Sequence, residues 1–199
     1  MPGPWIDLTR PIDPDLPIYA EGAYRDPPYR ATPWCRVEDQ GYAVWRLELG
    51  TQTGTHIDAP AHFVAGGATL DALRPDDLTG RYLHVDAAVG DVPRHRGEPL
   101  LLLDASRVPG ITAATFEALL ALPCRVWIIA GAPAVDGRDP LHLHRALARA
   151  GRFLVEDLDP AAVPRVPARG EAVALPLRLA GLGGSPARVL VRSLPWGRG

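Results

Sequence analysis

The chain has 199 residues, is 47% hydrophobic and carries a formal net charge of −2. At that length one domain can bury about 70% of its unfolded surface. The near-neutral charge argues against a basic nucleic-acid face, and no apolar run approaches the roughly 20 residues of a membrane-spanning helix.

The N-terminus MPGPWIDLTRPIDPD lacks the basic-then-apolar layout of a signal peptide. We therefore expect a single cytoplasmic domain over 1–199. Cys35 and Cys124, with no CxxC, read as two free thiols. Lysine and asparagine are absent, which removes Schiff-base chemistry, a Walker loop and a Cys-His-Asn arrangement. None of Ser106, Ser185 and Ser193 sits in a GxSxG elbow.

Trp5 to Thr9 alternates like a short strand. The Pro-rich run from Pro11 to Pro33 cannot sustain a helix, and a long irregular segment of this kind suits a lid or pocket wall. Arg36 to Gly41 reads as a turn. Tyr42 to Leu49 alternates as a strand, with Val44, Arg46 and Glu48 on one face and Trp45, Leu47 and Leu49 on the other. Leu70 to Arg74 fits one helical turn. Arg81–Ala87, Leu100–Asp104, Arg125–Ala130, Phe153–Glu156, Leu175–Leu179 and Ala187–Arg192 read as further strands. Two helices are expected. Thr112 caps one that Pro123 stops. Asp139 caps the other, with Pro140 at its first position and Gly151 past its end. The sum is a strand-rich mixed α/β chain.

The chemistry gathers in Thr51-Gln-Thr-Gly-Thr-His-Ile-Asp-Ala-Pro-Ala-His-Phe63, which places His56, Asp58 and His62 within seven residues. Pro60 prevents a helix from running through the segment. In an extended chain residues i and i+2 share a face, so His56 and Asp58 aim at one spot. An imidazole beside a carboxylate suits Zn²⁺, Mn²⁺ or Fe²⁺. His62, beyond the Pro60 bend, can return as a third ligand or act as a general base. Three groups are few for a hydrolytic metal site, so others should join them. His142 and His144 are about 200° apart on a helix. His144 shares a stripe with Leu141 and Leu147, so it should face inward, and His142 outward with Arg145 and Arg149. Glu156 ends the apolar run Phe153-Leu-Val, where a carboxylate is costly unless paired or metal-bound. His144 and Glu156 are therefore candidates to complete the site. His84 and Asp86 share a strand face and read as structural, and His95 lies in a basic loop and reads as solvated.

Residues 52–62 resemble the H-x-G-T-H-x-D-x-P-x-H signature of the bacterial kynurenine formamidase and cyclase family, which includes isatin hydrolases. The likeness extends to Ile6-Asp-Leu-Thr-Arg-Pro-Ile, Leu16-Pro-Ile-Tyr19, the His144…Glu156 spacing, and Gly184-Ser-Pro-Ala-Arg-Val189. It implies a single-domain, mixed α/β swivelling β/β/α (cyclase-like) fold, commonly a homodimer or homotetramer. It also implies an enzyme in which one or two divalent ions, Zn or Mn, help hydrolyse an amide, lactam or ester bond of a small cyclic or aromatic substrate. By the same resemblance Gln52, His56, Asp58, His144 and Glu156 are the metal positions. His62 and Glu156 are the catalytic groups, and Tyr19 is a substrate wall. The first histidine of the signature is Gln52 here, which offers a carbonyl oxygen in place of imidazole. The stretch Ala130-Gly-Ala-Pro133 also departs from the family pattern. Two other readings stay open. One is a metal-independent cyclase or dehydratase using His62, Asp58 and Glu156. The other is a catalytically silent binding protein.

Overall fold

In the computed structural model, which describes residues 1–195, the elements follow one another as β1 (Ile6–Asp7), β2 (Ala20–Glu21), β3 (Tyr24–Arg25), β4 (Arg30–Cys35), α1 (Val37–Gln40), β5 (Val44–Glu48), β6 (His56–Asp58), β7 (Thr79–Asp86), β8 (Leu100–Asp104), β9 (Gly110–Ile111), α2 (Ala113–Leu120), β10 (Val126–Ala130), β11 (Ala134–Val135), α3 (His142–Arg149), β12 (Phe153–Glu156), β13 (Gly170–Pro176) and β14 (Gly184–Ser193). Strands β14, β13, β7, β8, β10, β12 and β6 lie side by side in that order, and β6 pairs back onto β14, closing a barrel to which β1 adds at the β14 edge. The single-domain, strand-rich mixed α/β architecture expected from the sequence takes the form of this closed barrel. Among the described residues no helix is long and apolar enough to cross a membrane.

The neighbours β7, β8, β10 and β12 run parallel. Parallel strands covered on both faces read as unbroken apolar runs. Leu100–Leu103 and Val126–Ala130 are accordingly buried throughout. Alternate residues serve two cores. Ile57, Tyr82, Leu100, Leu102, Val126, Ile128, Phe153, Val155 and Val189 fill the barrel. Leu83, Leu101, Leu103, Trp127, Ile129 and Leu154 point outward, where Phe116 and Leu119 of α2 and Leu143 and Leu147 of α3 cover them.

Helix α2 begins as expected, with the Thr112 hydroxyl accepting from the Thr115 amide at 3.1 Å, and it ends at Leu120. Helix α3 starts at His142, later than the Pro140 start expected. Asp139 instead holds the preceding turn by accepting from the Leu141 amide. His142 does not face outward; its ring packs 5.9 Å from that of Phe116. The C-terminal strand pair also shifts. The strand expected at Leu175–Leu179 is β13, which begins at Gly170 and ends at Pro176. Its inward residues are Ala172 and Ala174. Such small side chains carry little strand signal, but they fit the narrowing interior of a small barrel. His95 is half-buried and bonded to the Glu98 carbonyl at 3.0 Å, so it is not a free loop histidine. Both cysteines are free.

The Pro-rich region is more ordered than its composition suggests. It contributes the short β2–β3 hairpin and β4, which pairs with β5 as a separate two-stranded arm. All of β5 is exposed. Pairs Ala31↔Leu47 and Pro33↔Trp45 put four apolar residues on one face, and Trp45 and Leu47 are 55% and 57% exposed.

Candidate metal centre

Strand β6 carries the front of the site. Ile57 enters the barrel core, so period-two alternation turns His56 and Asp58 to the outer face, the side on which α3 packs. Strand β6 pairs antiparallel with β12, with His56 opposite Glu156 and Asp58 opposite Leu154. Glu156 has the same parity as Leu154 and therefore emerges on that outer face. A local segment and one a hundred residues later are thus brought together by one ladder. Within it the ligand atoms of His56, Asp58 and Glu156 all lie within 4.8 Å of one another. His56 Nε2 is 3.6 Å from Asp58 Oδ1 and 3.4 Å from Glu156 Oε1.

The turn before β6 sets the His56 ring. Gly54 sits at φ +63, and a Cβ there would meet Leu16 at 3.1 Å and Ile12 at 3.4 Å. Glycine both accepts this conformation and lets the Pro-rich segment close over the loop. Its carbonyl then receives the His56 Nδ1 proton at 2.7 Å. That contact fixes which nitrogen faces the carboxylates, as in metal sites where the far imidazole nitrogen is tied down.

His144, on α3, reaches the same place from above. Its Nε2 bonds the other oxygen of Glu156 at 3.0 Å, while its Nδ1 is buried with no hydrogen-bond partner among the described residues. Phe63 packs between the two histidines, 4.4 Å from the His62 ring and 5.5 Å from that of His144. His62 is exposed in the turn Pro60–His62, close enough for its charge to act on Asp58.

Gln52 lies beside Asp58. Its Nε2 donates to Asp58 Oδ1 at 3.3 Å, and its Oε1 accepts from the Thr51 hydroxyl at 2.5 Å. The ligand-capable oxygen of Gln52 is therefore engaged locally. Its amide fits only because residue 184 is glycine, since a Cβ there would lie 2.2 Å from Gln52 Nε2. Gly184 opens the Gly184-Ser-Pro segment of β14 that pairs with β6, a role that sequence reading of 184–189 did not assign. Tyr19 stands elsewhere. It is 52% exposed, donates to Glu21 and leans on Tyr24, and none of these contacts ties it to His56, Asp58 or Glu156. His84 shares neither strand nor contact with the site. Burial lowers its pKa against the opposing pull of Asp104 and Asp86.

Charge explains why this cluster suits a cation. Burial opposes charge on His56, but the Glu156 hydrogen bond and the Asp58 and Glu156 charges outweigh it and raise the imidazole to about 9. Burial also works against Glu156, yet hydrogen bonds from His144 and His56 hold its carboxyl well below the usual range. Asp58 goes the other way: burial raises it, and the pull of His56 and the Gln52 hydrogen bond does not fully offset that. Two carboxylates, one of them fully buried, share a pocket with imidazoles as their main counter-charge. A divalent cation satisfies that donor set directly, because oxygen and imidazole donors suit Zn²⁺ and Mn²⁺.

Comparison with known proteins places the chain in a family. Residues 6–121, more than half the chain, match the family model described as "Putative cyclase". The kynurenine formamidase of Salinibacter ruber is 30% identical over 96% of this chain and 98% of its own length. The isatin hydrolase A of Labrenzia aggregata superposes with a TM-score of 0.78 at 20% identity, covering 96% of this chain and 93% of that one. A predicted metal-dependent hydrolase from Bacillus stearothermophilus does so with a TM-score of 0.71 at 26% identity, covering 96% and 98%. With a family match over residues 6–121, a full-length relative at this identity and a shared barrel, the chain belongs to the cyclase family of kynurenine formamidase-like proteins.

Proposed function

We propose that the protein is a metal-dependent hydrolase that opens an amide, lactam or ester bond in a small cyclic or aromatic substrate. The observation that carries this is the convergence of His56, Asp58 and Glu156 within 4.8 Å on the outer face of the β6–β12 ladder. These three account for one ion. His144, on the far oxygen of Glu156, is the residue a second ion would use, with Gln52 at the margin. Bound there, Zn²⁺ or Mn²⁺ would polarise a carbonyl oxygen and acidify water near neutral pH. The chain's own groups do the rest. His56 and the two carboxylates would hold the cation. His144 holds Glu156 in its rotamer. His62, exposed beside Asp58 and braced by Phe63, takes and returns the proton as acid and base. Tyr19 would serve as a substrate wall only if the β2–β3 hairpin closes over a bound ligand.

The test combines elemental analysis of untreated protein with hydrolysis of an N-formyl aromatic amide before chelation, after it, and after return of Zn²⁺ or Mn²⁺. Stoichiometric metal and restored activity are expected. Activity that survives exhaustive chelation would transfer the site to metal-independent acid–base chemistry. The proton that the carboxylates hold on His56 up to about 9 must leave before a cation binds. Metal uptake should therefore release protons, and affinity should rise as pH is raised toward 9. An affinity independent of pH over 6 to 9 would exclude His56 as a ligand.

We further propose a homodimer or homotetramer built through the β4–β5 arm. An isolated two-stranded ribbon is marginal in water, and the exposed Ala31, Pro33, Trp45, Leu47 face invites a cover. The opposite face pairs Arg30 with Glu48. That leaves the apolar face, presented identically by each copy, for a two-fold contact between them. Leu47→Asp should shift the mass measured by light scattering to that of a monomer, and an unchanged mass would remove the arm from the interface.

A further inference from the structure

The ladder that joins His56 to Glu156 ends at that pair. If the register continued, Thr55 would face Asp157. Asp157, however, takes φ 57, the one non-glycine residue with positive φ among those described. A non-glycine residue in this conformation persists only where its surroundings hold it. Thr55 supplies the hold. Its side chain, 1% exposed, donates to the Asp157 carbonyl at 2.6 Å and accepts from the Arg10 amide at 2.9 Å. Arg10 in turn donates from Nε to the Leu158 carbonyl at 3.1 Å, and its guanidinium stands 3.8 Å from the Asp157 carboxylate. The Thr55 carbonyl accepts from the Ala187 amide of β14 at 2.9 Å.

We infer that Thr55 is a positioning residue for the metal centre, acting as a clasp that replaces the missing rung. Thr55 and Asp157 are the covalent neighbours of His56 and Glu156. The bond between them therefore holds the two segments together just past the rung that pairs His56 with Glu156, two ligands far apart in sequence. It does so where the backbone of Asp157 has already left the sheet and can no longer brace that last rung. The hydroxyl both donates to Asp157 and accepts from the Arg10 amide, so turning the rotamer away would break two bonds at once. Groups behind the ligands that orient them typically change metal affinity by 10–100-fold when removed.

This inference rests on the metal reading of His56, Asp58 and Glu156, and the experiment separates the two. Zn²⁺ affinity is measured by competition with a chromophoric chelator for wild type, Thr55→Val, Thr55→Ala and Thr55→Ser, well below each protein's melting temperature. Val and Ala should bind Zn²⁺ about 10–100-fold more weakly, and Ser, which keeps the hydroxyl, should bind close to wild type. If Val does not fold, Ala against Ser isolates the hydroxyl. If all the folded variants bind like wild type while Val and Ala melt earlier, Thr55 serves stability alone and the clasp is overturned. Wild-type protein that binds neither Zn²⁺ nor Mn²⁺ overturns the centre itself, and the clasp with it.

Discussion

Glu156→Gln is expected to strip the protein of its metal and, with it, hydrolysis. The substitution keeps the shape of the side chain but removes the charge that His56 at 3.4 Å and His144 at 3.0 Å both face. It leaves one neutral carbonyl oxygen where two anionic ones stood, and its NH₂ points a donor at an imidazole that also carries protons. A cation coordinated by one buried carboxylate fewer loses several kcal/mol of stabilisation. At about 1.4 kcal/mol per factor of ten, that is on the order of 10³ or more in metal affinity. Elemental analysis after gel filtration should show trace metal, and turnover of an N-formyl aromatic amide should fall to background. Full metal occupancy in this variant would sink the assignment of Glu156. The substitution also tests coupling to His144. Without the anionic oxygen, His144 loses the hydrogen bond and charge that lift its pKa against burial.

His62→Ala is the second large effect and should separate chemistry from metal binding. His62 is exposed, in a turn whose backbone is held by the Ala59 and Pro60 carbonyls, so the ring contributes little to folding. Removing a positioned general acid–base group costs about 10²–10⁴ in rate. The expected result is therefore a kcat lower by that factor, with metal content and melting temperature close to wild type. Loss of metal would make His62 a ligand, and an unchanged kcat would leave the proton to another group. The pair is diagnostic because Glu156→Gln should fail in metal content, whereas His62→Ala should fail only in turnover.

Much of the site was legible because its front half is local. Pro60 and the i, i+2 spacing forced His56 and Asp58 onto one face of an extended segment, and the ladder with β12 bears this out. His144 and Glu156 were reached by weaker signals, a helix stripe and a carboxylate after an apolar run, and the structure brings them within 3.0 Å. The same helical-wheel argument misjudged His142, since α3 meets α2 through Phe116 and gives that histidine a neighbour no wheel shows. Strand β13 was misplaced for a related reason. Ala172 and Ala174 are chosen by the bore of the barrel, a property of strands far away in sequence, so they leave no hydrophobic pattern of their own.

What the sequence determined by itself is the donor chemistry and its local geometry: imidazole and carboxylate on an extended segment, glycine before them for the turn, proline after them against a helix. Local sterics act over a few residues, and a few residues suffice to read them. The tertiary structure alone decided that Glu156 stands directly opposite His56, because register is settled by closure of the whole barrel around Ile57, Phe153 and Val155. It alone showed Gln52 turned to Asp58 with its oxygen on Thr51, a choice made by the space that Gly184 leaves. And it alone exposed the Thr55–Asp157 bond, formed across 102 residues of chain where a ladder ends and a side chain takes over its work.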